Sequence, residues 1–234
     1  MNRRVVVHAG FHKTGTTSLQ QFLYKNGKHL WPKTAMVLPF KLRETASTQS
    51  LRYSRDPDPE TLDAFAADLR AILSQLDLGP NRPVIISDEN LSGHIPGRHG
   101  TTGYDQCPAL IERLVDVVRE VLDEDADLRF VFTTRDRDSW LRSVWMHNLM
   151  RWRLTLDFDD FVASLGPMSD LDAVTRAVRD ELGLAPEVRD KLTPTGIAMR
   201  GPHPALARLL LELNRSDRDD GDVRTAKLEL AKPK

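Results

Sequence analysis

The chain has 234 residues, 40% hydrophobic and 29% charged, the composition of one globular domain with a sizeable core. Its 33 Lys and Arg nearly balance 34 Asp and Glu for a net charge of -1. No long-range field therefore draws it to nucleic acid or an anionic membrane, and any anion site must be local. A single cysteine, Cys107, excludes an internal disulfide framework and suits a reducing cytoplasm. No signal-like segment and no apolar run of about 18 residues occurs, so no transmembrane segment is expected.

Residues 5–7 form a β-branched run that reads as a buried strand. About ten residues from Thr16 read as a helix, with Leu19, Phe22 and Leu23 on one face. Residues 35–38, closed by Pro39, are a second strand candidate, and the polar stretch 41–58 reads as a loop. From 59 to 78 the apolar residues Leu62, Phe65, Leu69, Ile72, Leu73 and Leu76 keep a helical period. Residues 83–87 are the next strand, and a Gly-, Pro- and His-rich loop spans 90–104. Ile111, Leu114, Val115, Val118 and Leu122 mark a helix, 128–134 a strand, and 138–152 a further helix. Segments 161–165, 173–182 and 204–214 make the C-terminal third helical, and 215–234 is a charged tail. The alternation predicts one three-layer α/β/α domain over 1–214 with a mostly parallel central sheet. Loops after Val7, Ser87 and Thr134 would then meet at one sheet edge.

The first strand runs into Gly10-Phe11-His12-Lys13-Thr14-Gly15-Thr16-Thr17-Ser18. Strand, Gly-x4-Gly loop and helix start, in that order, aim successive N–H groups and the helix dipole at an anion. The loop resembles a Walker A motif, except that Thr16 stands at the lysine position and the lysine lies inside the loop as Lys13. Arg135 leaves the 128–134 strand at the same edge, and Ser143 follows about a turn into the next helix, whose Asp-rich start suits capping. Two anion sites on separate strand ends suit a ligand with two separated anionic groups. Plainer roles stand beside these: a βα turn for the loop, surface pairing of Arg135 with Asp136 or Asp138, a packing contact for Ser143 and a cap for Glu89. Helical spacing assigns Trp140 and Trp145 to the core and leaves Trp152 to line a cleft. Cys107 has no basic neighbour in sequence and no catalytic role.

These islands resemble a known family. The 10–17 loop resembles the 5′-phosphosulfate loop of sulfotransferases that use 3′-phosphoadenosine 5′-phosphosulfate (PAPS), and Arg135 with Ser143 resembles their 3′-phosphate motif. Val84-Ile85-Ile86-Ser87-Asp88-Glu89-Asn90-Leu91-Ser92 resembles the middle segment of bacterial members, so the resemblance covers residues 3–150 in three ordered islands. It implies a P-loop-type fold, PAPS as donor, adenosine 3′,5′-bisphosphate as product, and no metal. Lys13 would face the bridging oxygen, while His12, Thr14, Gly15, Thr16, Thr17 and Ser18 would hold the 5′-phosphate. Arg135 and Ser143 would hold the 3′-phosphate. Glu89 is the first choice of base, expected to be partly buried with a raised pKa; His94 is the second and His12 the third. The acceptor would offer a hydroxyl or an amine. The Arg, His and Tyr content of 41–58 and 90–104 suits a polar acceptor such as a carbohydrate, with the C-terminal third as a lid. The Arg-Lys-Gly-x-x-Gly-Asp-Trp segment of cytosolic members has no counterpart, Met199-Arg200-Gly201 being too short a match. Two other readings stay open: a P-loop kinase or nucleoside triphosphatase, through Ser87-Asp88, and a nucleotide-binding protein without catalysis.

Overall fold

Strands that are covered on both faces read as unbroken apolar runs; residues 5–7, 35–37 and 84–86 do so, whereas the edge strand at 127–131 alternates and is half-buried over its first three residues. The computed structural model describes residues 2–80 and 82–183. The helix expected at 204–214, the tail at 215–234 and Met199-Arg200-Gly201 lie outside them. β1 (Arg4–His8), β2 (Ala35–Val37), β3 (Val84–Ser87) and β4 (Asp127–Val131) form an all-parallel sheet of order β2-β3-β1-β4. Between β1 and β2 run α1 (Thr16–Lys25) and α2 (Gly27–Leu30). α3 (Pro39–Leu42), α4 (Ala46–Arg55) and α5 (Pro59–Ser74) lead to β3, and α6 (Cys107–Val121) leads to β4. α7 (Arg137–Trp152), α8 (Phe158–Ala163) and α9 (Leu171–Glu181) follow.

Register sets His8 beside both Ser87 and Val131, so three neighbouring strands end in one row and their loops leave together. Side chains alternate between two layers. Val6, Met36, Ile85 and Val131 share a core with Leu19 and Leu23 of α1. Val5, Val7, Val84 and Ile86 share a larger one with Phe65 and Leu69 of α5, Leu110 and Leu114 of α6, and Trp140 of α7. Each fully buried aliphatic side chain contributes about 1.5–3 kcal/mol relative to exposure. The result is the expected α/β/α architecture. No helix among the described residues is long and apolar enough to cross a membrane.

Three boundaries differ from the sequence reading. Residues 41–58 are not a loop, since they hold the end of α3 and all of α4. α4 has no apolar stripe and docks instead through serines on one face. Ser47 Oγ donates to Asp88 Oδ2 at 2.7 Å, Ser50 Oγ donates to the Asn90 carbonyl at 2.5 Å, and Ser54 Oγ accepts from the His94 N–H at 2.9 Å. α5 ends at Ser74 rather than 78. β4 ends at Val131, because Thr133 leaves the ladder to bind the loop after β1. In the C-terminal part, α8 packs on α7, and α9 packs on α6 through Leu171, Val174 and Val178. The rest of the expected lid lies outside the described residues.

Candidate functional site

The loop after β1 is fastened on its core side. Thr133 N–H donates to the Gly10 carbonyl at 2.7 Å and Phe11 N–H to the Thr133 carbonyl at 3.2 Å. The Thr14 hydroxyl donates to the Phe11 carbonyl at 2.6 Å and lies 2.5 Å from the Thr133 hydroxyl, so it staples the loop to the end of β4. Trp140 Nε1 donates to the His12 carbonyl at 2.9 Å, and Ser92 Oγ to the Ala9 carbonyl. The carbonyls are thus engaged, whereas the N–H groups of Lys13, Thr14, Gly15, Thr16 and Thr17 find no acceptor among the described residues. Gly15, at φ +101°, caps α1 in a left-handed conformation open to glycine. α1 has no side-chain cap and no acid in its first turn, so nothing competes for its positive end. Thr16 is buried, Thr17 exposed, and Ser18 N–H bonds back to the Gly15 carbonyl at 3.1 Å. Lys13 sits at φ +65°. Burial, then Arg135 and Arg98, push its ammonium below the ordinary lysine range.

Beneath the loop, Glu89 opens the 3-10 turn that follows β3 (Glu89–Ser92), with Asp88 as its cap through the Asn90 N–H at 2.9 Å. Gly10 packs directly against Glu89: a Cβ there would stand 3.5 Å from the Glu89 Cα. Glu89 Oε2 accepts from Gln20 Nε2 at 2.7 Å. Burial raises its pKa, but His12, the Gln20 amide and its own N–H outweigh burial and hold the carboxyl below the ordinary range. This corrects the expectation of a raised pKa, which left out those donors. His12 turns into the fold, its Nδ1 3.0 Å from the Tyr104 hydroxyl and its Nε2 3.1 Å from Asn90 Oδ1. Burial lowers its pKa against the pull of Glu89 and the hydrogen bond to Asn90. His8, fully buried with Nδ1 2.8 Å from Ser87 Oγ, is lowered to about 4 by burial.

Arg135 is exposed at the loop's outer side. Its Nε donates to Ser139 Oγ at 3.0 Å and its Nη1 approaches the Lys13 carbonyl at 3.5 Å, with no bond to Asp136 or Asp138. Asp136 instead caps α7 by accepting from Ser139 N–H at 3.0 Å. Ser143 is half-buried on α7, and its hydroxyl makes no hydrogen bond among the described residues. His94 lies apart from the Glu89 network: its ring meets His99 at 5.1 Å, and burial, His99 and Arg98 lower it to about 4. Trp140 is core as expected and Trp152 is exposed, but Trp145 is half-buried rather than core, its Nε1 donating to the Leu156 carbonyl at 3.0 Å. The Cys107 thiol is buried and pushed up to about 12. No cluster of His, Cys, Asp and Glu among the described residues could hold a metal ion.

The structure therefore brings Lys13, His12, Thr14–Thr17, Glu89 and Arg135 to one edge, with Ser18 in the first turn of α1; the side chains of His94 and Ser143 make no hydrogen bond to these residues among those described. Sequence reasoning missed Gln20, Asn90, Tyr104 and Arg98. Gln20 had a signal, because a polar residue beside Leu19 and Leu23 on the helix's inner face needs a buried partner. Tyr104 had none, since it lies 92 residues from His12 in the chain. The fold and site define an α/β protein with a parallel sheet and a loop, residues 9–15, pinned between the ends of β1 and β4. No family model, curated protein or solved structure matches the chain.

Proposed function

We propose that the protein transfers a sulfuryl group from PAPS to a hydroxyl or amine acceptor. The observation that carries this reading is the run of five N–H groups, residues 13–17, without acceptors at the start of α1, flanked by Lys13 and Arg135. A 5′-phosphosulfate would accept from those amides, and Arg135 with Ser143 would hold the 3′-phosphate that distinguishes PAPS from ATP. In the transfer, an acceptor oxygen or nitrogen bonds to sulfur as the bridging S–O bond breaks. Glu89, ionised at neutral pH, takes the acceptor proton, and Lys13 neutralises charge on the departing phosphate oxygen. Gln20 keeps the Glu89 carboxylate oriented. The ring of His12 braces the loop between Tyr104 and Asn90 and is the alternative base.

A nucleoside triphosphatase would use a carboxylate at the end of β3 to hold Mg²⁺. Asp88 is fully buried, and its two oxygens accept from Ser47 Oγ and Asn90 N–H, which weighs against that reading. The lone buried Cys107 suits the cytoplasmic setting we propose. Calorimetric titration with adenosine 3′,5′-bisphosphate and ATP tests the proposal. Wild type binds the bisphosphate at least tenfold more tightly, and Arg135→Ala removes most of that preference. Equal affinity for the two nucleotides sinks it, and Mg²⁺-dependent ATP turnover would install the rival. Tight bisphosphate binding without transfer to a broad acceptor panel would leave a non-catalytic binder.

A further inference from the structure

Away from the loop after β1, the 93–104 segment packs against the C-terminal half of α7. Gly97, at φ +83°, lies so close to Phe161 of α8 and to Asn148 that any Cβ would overlap the Phe161 ring. That approach holds the loop on α7. Asn148, fully buried, donates to the Pro96 carbonyl at 3.0 Å and accepts from Arg98 Nε at 2.8 Å. Arg98 is thereby aimed across α7, its guanidinium 4.9 Å above the Trp152 ring. His99 meets the same ring edge-on at 4.8 Å, and His94 meets His99.

The charge in this corner is one-sided. Arg98 lies near Arg151 and is lowered to about 10 by burial and that repulsion; His147 faces Lys13, Arg98 and Arg151 and is lowered to about 4, with burial the larger cause. Neither Arg98 nor Arg151 pairs with an acid among the described residues. Two buried nitrogens have no partner either among the described residues: Arg98 Nη2 and Nδ1 of His94, a residue only 8% exposed. A buried guanidinium nitrogen without an acceptor is costly; an oxyanion from a ligand would satisfy it and would accept from His94 in the tautomer that carries its proton on Nδ1. Trp152 keeps half its surface exposed beside them, an apolar floor of the kind on which a sugar or aromatic ring lies flat.

We infer that this corner binds an oxyanion on the acceptor, so that the substrate is an acidic sugar or ring compound. Arg98 and Arg151 grip its carboxylate, sulfate or phosphate while Trp152 supports the ring. The inference rests on the sulfuryl-transfer reading for the word acceptor, but the anion site itself does not. The probes are matched compounds that differ only in the charged group: methyl β-glucoside, methyl β-glucuronide and methyl β-glucoside 6-phosphate, with 4-hydroxybenzamide against 4-hydroxybenzoate.

With PAPS present, kcat/KM for a charged member exceeds that of its neutral partner at least tenfold; the carboxylate and phosphate arms tell which oxyanion is preferred. Arg151→Glu, at an exposed position, lowers the charged member at least tenfold more than the neutral one, and Arg98→Gln does the same. Without nucleotide, the charged probes shift the His94 and His99 ring resonances and the neutral probes do not. If the bisphosphate fails to bind while these shifts occur, the transfer reading falls and the anion site stands. If neutral and charged members turn over equally, or no charged probe shifts either ring, the inference is overturned.

Discussion

At the scale of single residues, the displaced lysine and the carboxylate beneath it divide the work. Lys13 is held at positive φ by its place in the loop, at the margin of five free amides. Glu89 is buried yet ionised, because Gln20 and His12 offset the cost of burial. A base with a depressed pKa stays competent as pH falls. The acid limb of kcat/KM therefore lies below the pH at which a free glutamate titrates, and Glu89→Gln lowers kcat by about 10²–10⁴-fold. Lys13→Ala, in the same assay, lowers kcat by about 10²–10³-fold across the pH range without moving that limb. An acid limb near neutrality would transfer the base role to a histidine.

At the scale of elements, α4 explains most of what sequence reading lost. Helix patterns are recognised by apolar periodicity, and this helix presents Ser47, Ser50 and Ser54 to the 88–94 segment instead. The serines do recur at helical spacing, so the signal existed but in hydrogen bonds rather than in hydrophobicity. α1 and α7 were legible almost to the residue, because each couples an apolar stripe to a recognisable start: the Gly15 turn for one and Asp136 for the other. α4 also has an energetic consequence. It helps bury Asp88, whose carboxyl is pushed up to about 6 by burial and then by Glu89. An acid raised in the folded state stabilises below its unfolded pKa and loses that contribution as pH rises through the folded value. At pH 7 the buried charge costs stability, so Asp88→Asn should unfold at equal or higher urea, by up to about 2 kcal/mol. A loss above about 1 kcal/mol would mean that the hydrogen bonds to Ser47 and Asn90 outweigh the charge.

Across the whole molecule, the order β2-β3-β1-β4 does what the strand alternation implied: it delivers three loops to one edge. Which side chains then meet could not be read, because Gln20 with Glu89, and His12 with Tyr104, are brought together by packing between distant segments. The buried histidines give the fold a pH signature. His8, His94 and His147 are each lowered to about 4, with burial the largest cause. A base depressed in the folded state stabilises above its unfolded pKa and loses that contribution as pH falls toward the folded value. His12 is lowered in the same direction, and Asp88 acts in the opposite sense. Tm should therefore fall between pH 6.5 and about pH 4.5, and more steeply in Asp88→Asn. A flat Tm over that interval in differential scanning calorimetry would show that these rings do not titrate on unfolding.

The bond from Trp140 to the His12 carbonyl ties the start of α7 to the loop, and Asn148 ties its far half to the 93–104 segment. One helix thus works as a ruler. From Ser139 to Arg151 it spans roughly 18 Å at 1.5 Å per residue, and it carries both marks on a single rigid rod. Inserting one residue between those two ties would advance the far mark by about 1.5 Å and swing it by about 100°, breaking the register between the loop after β1 and the 93–104 segment.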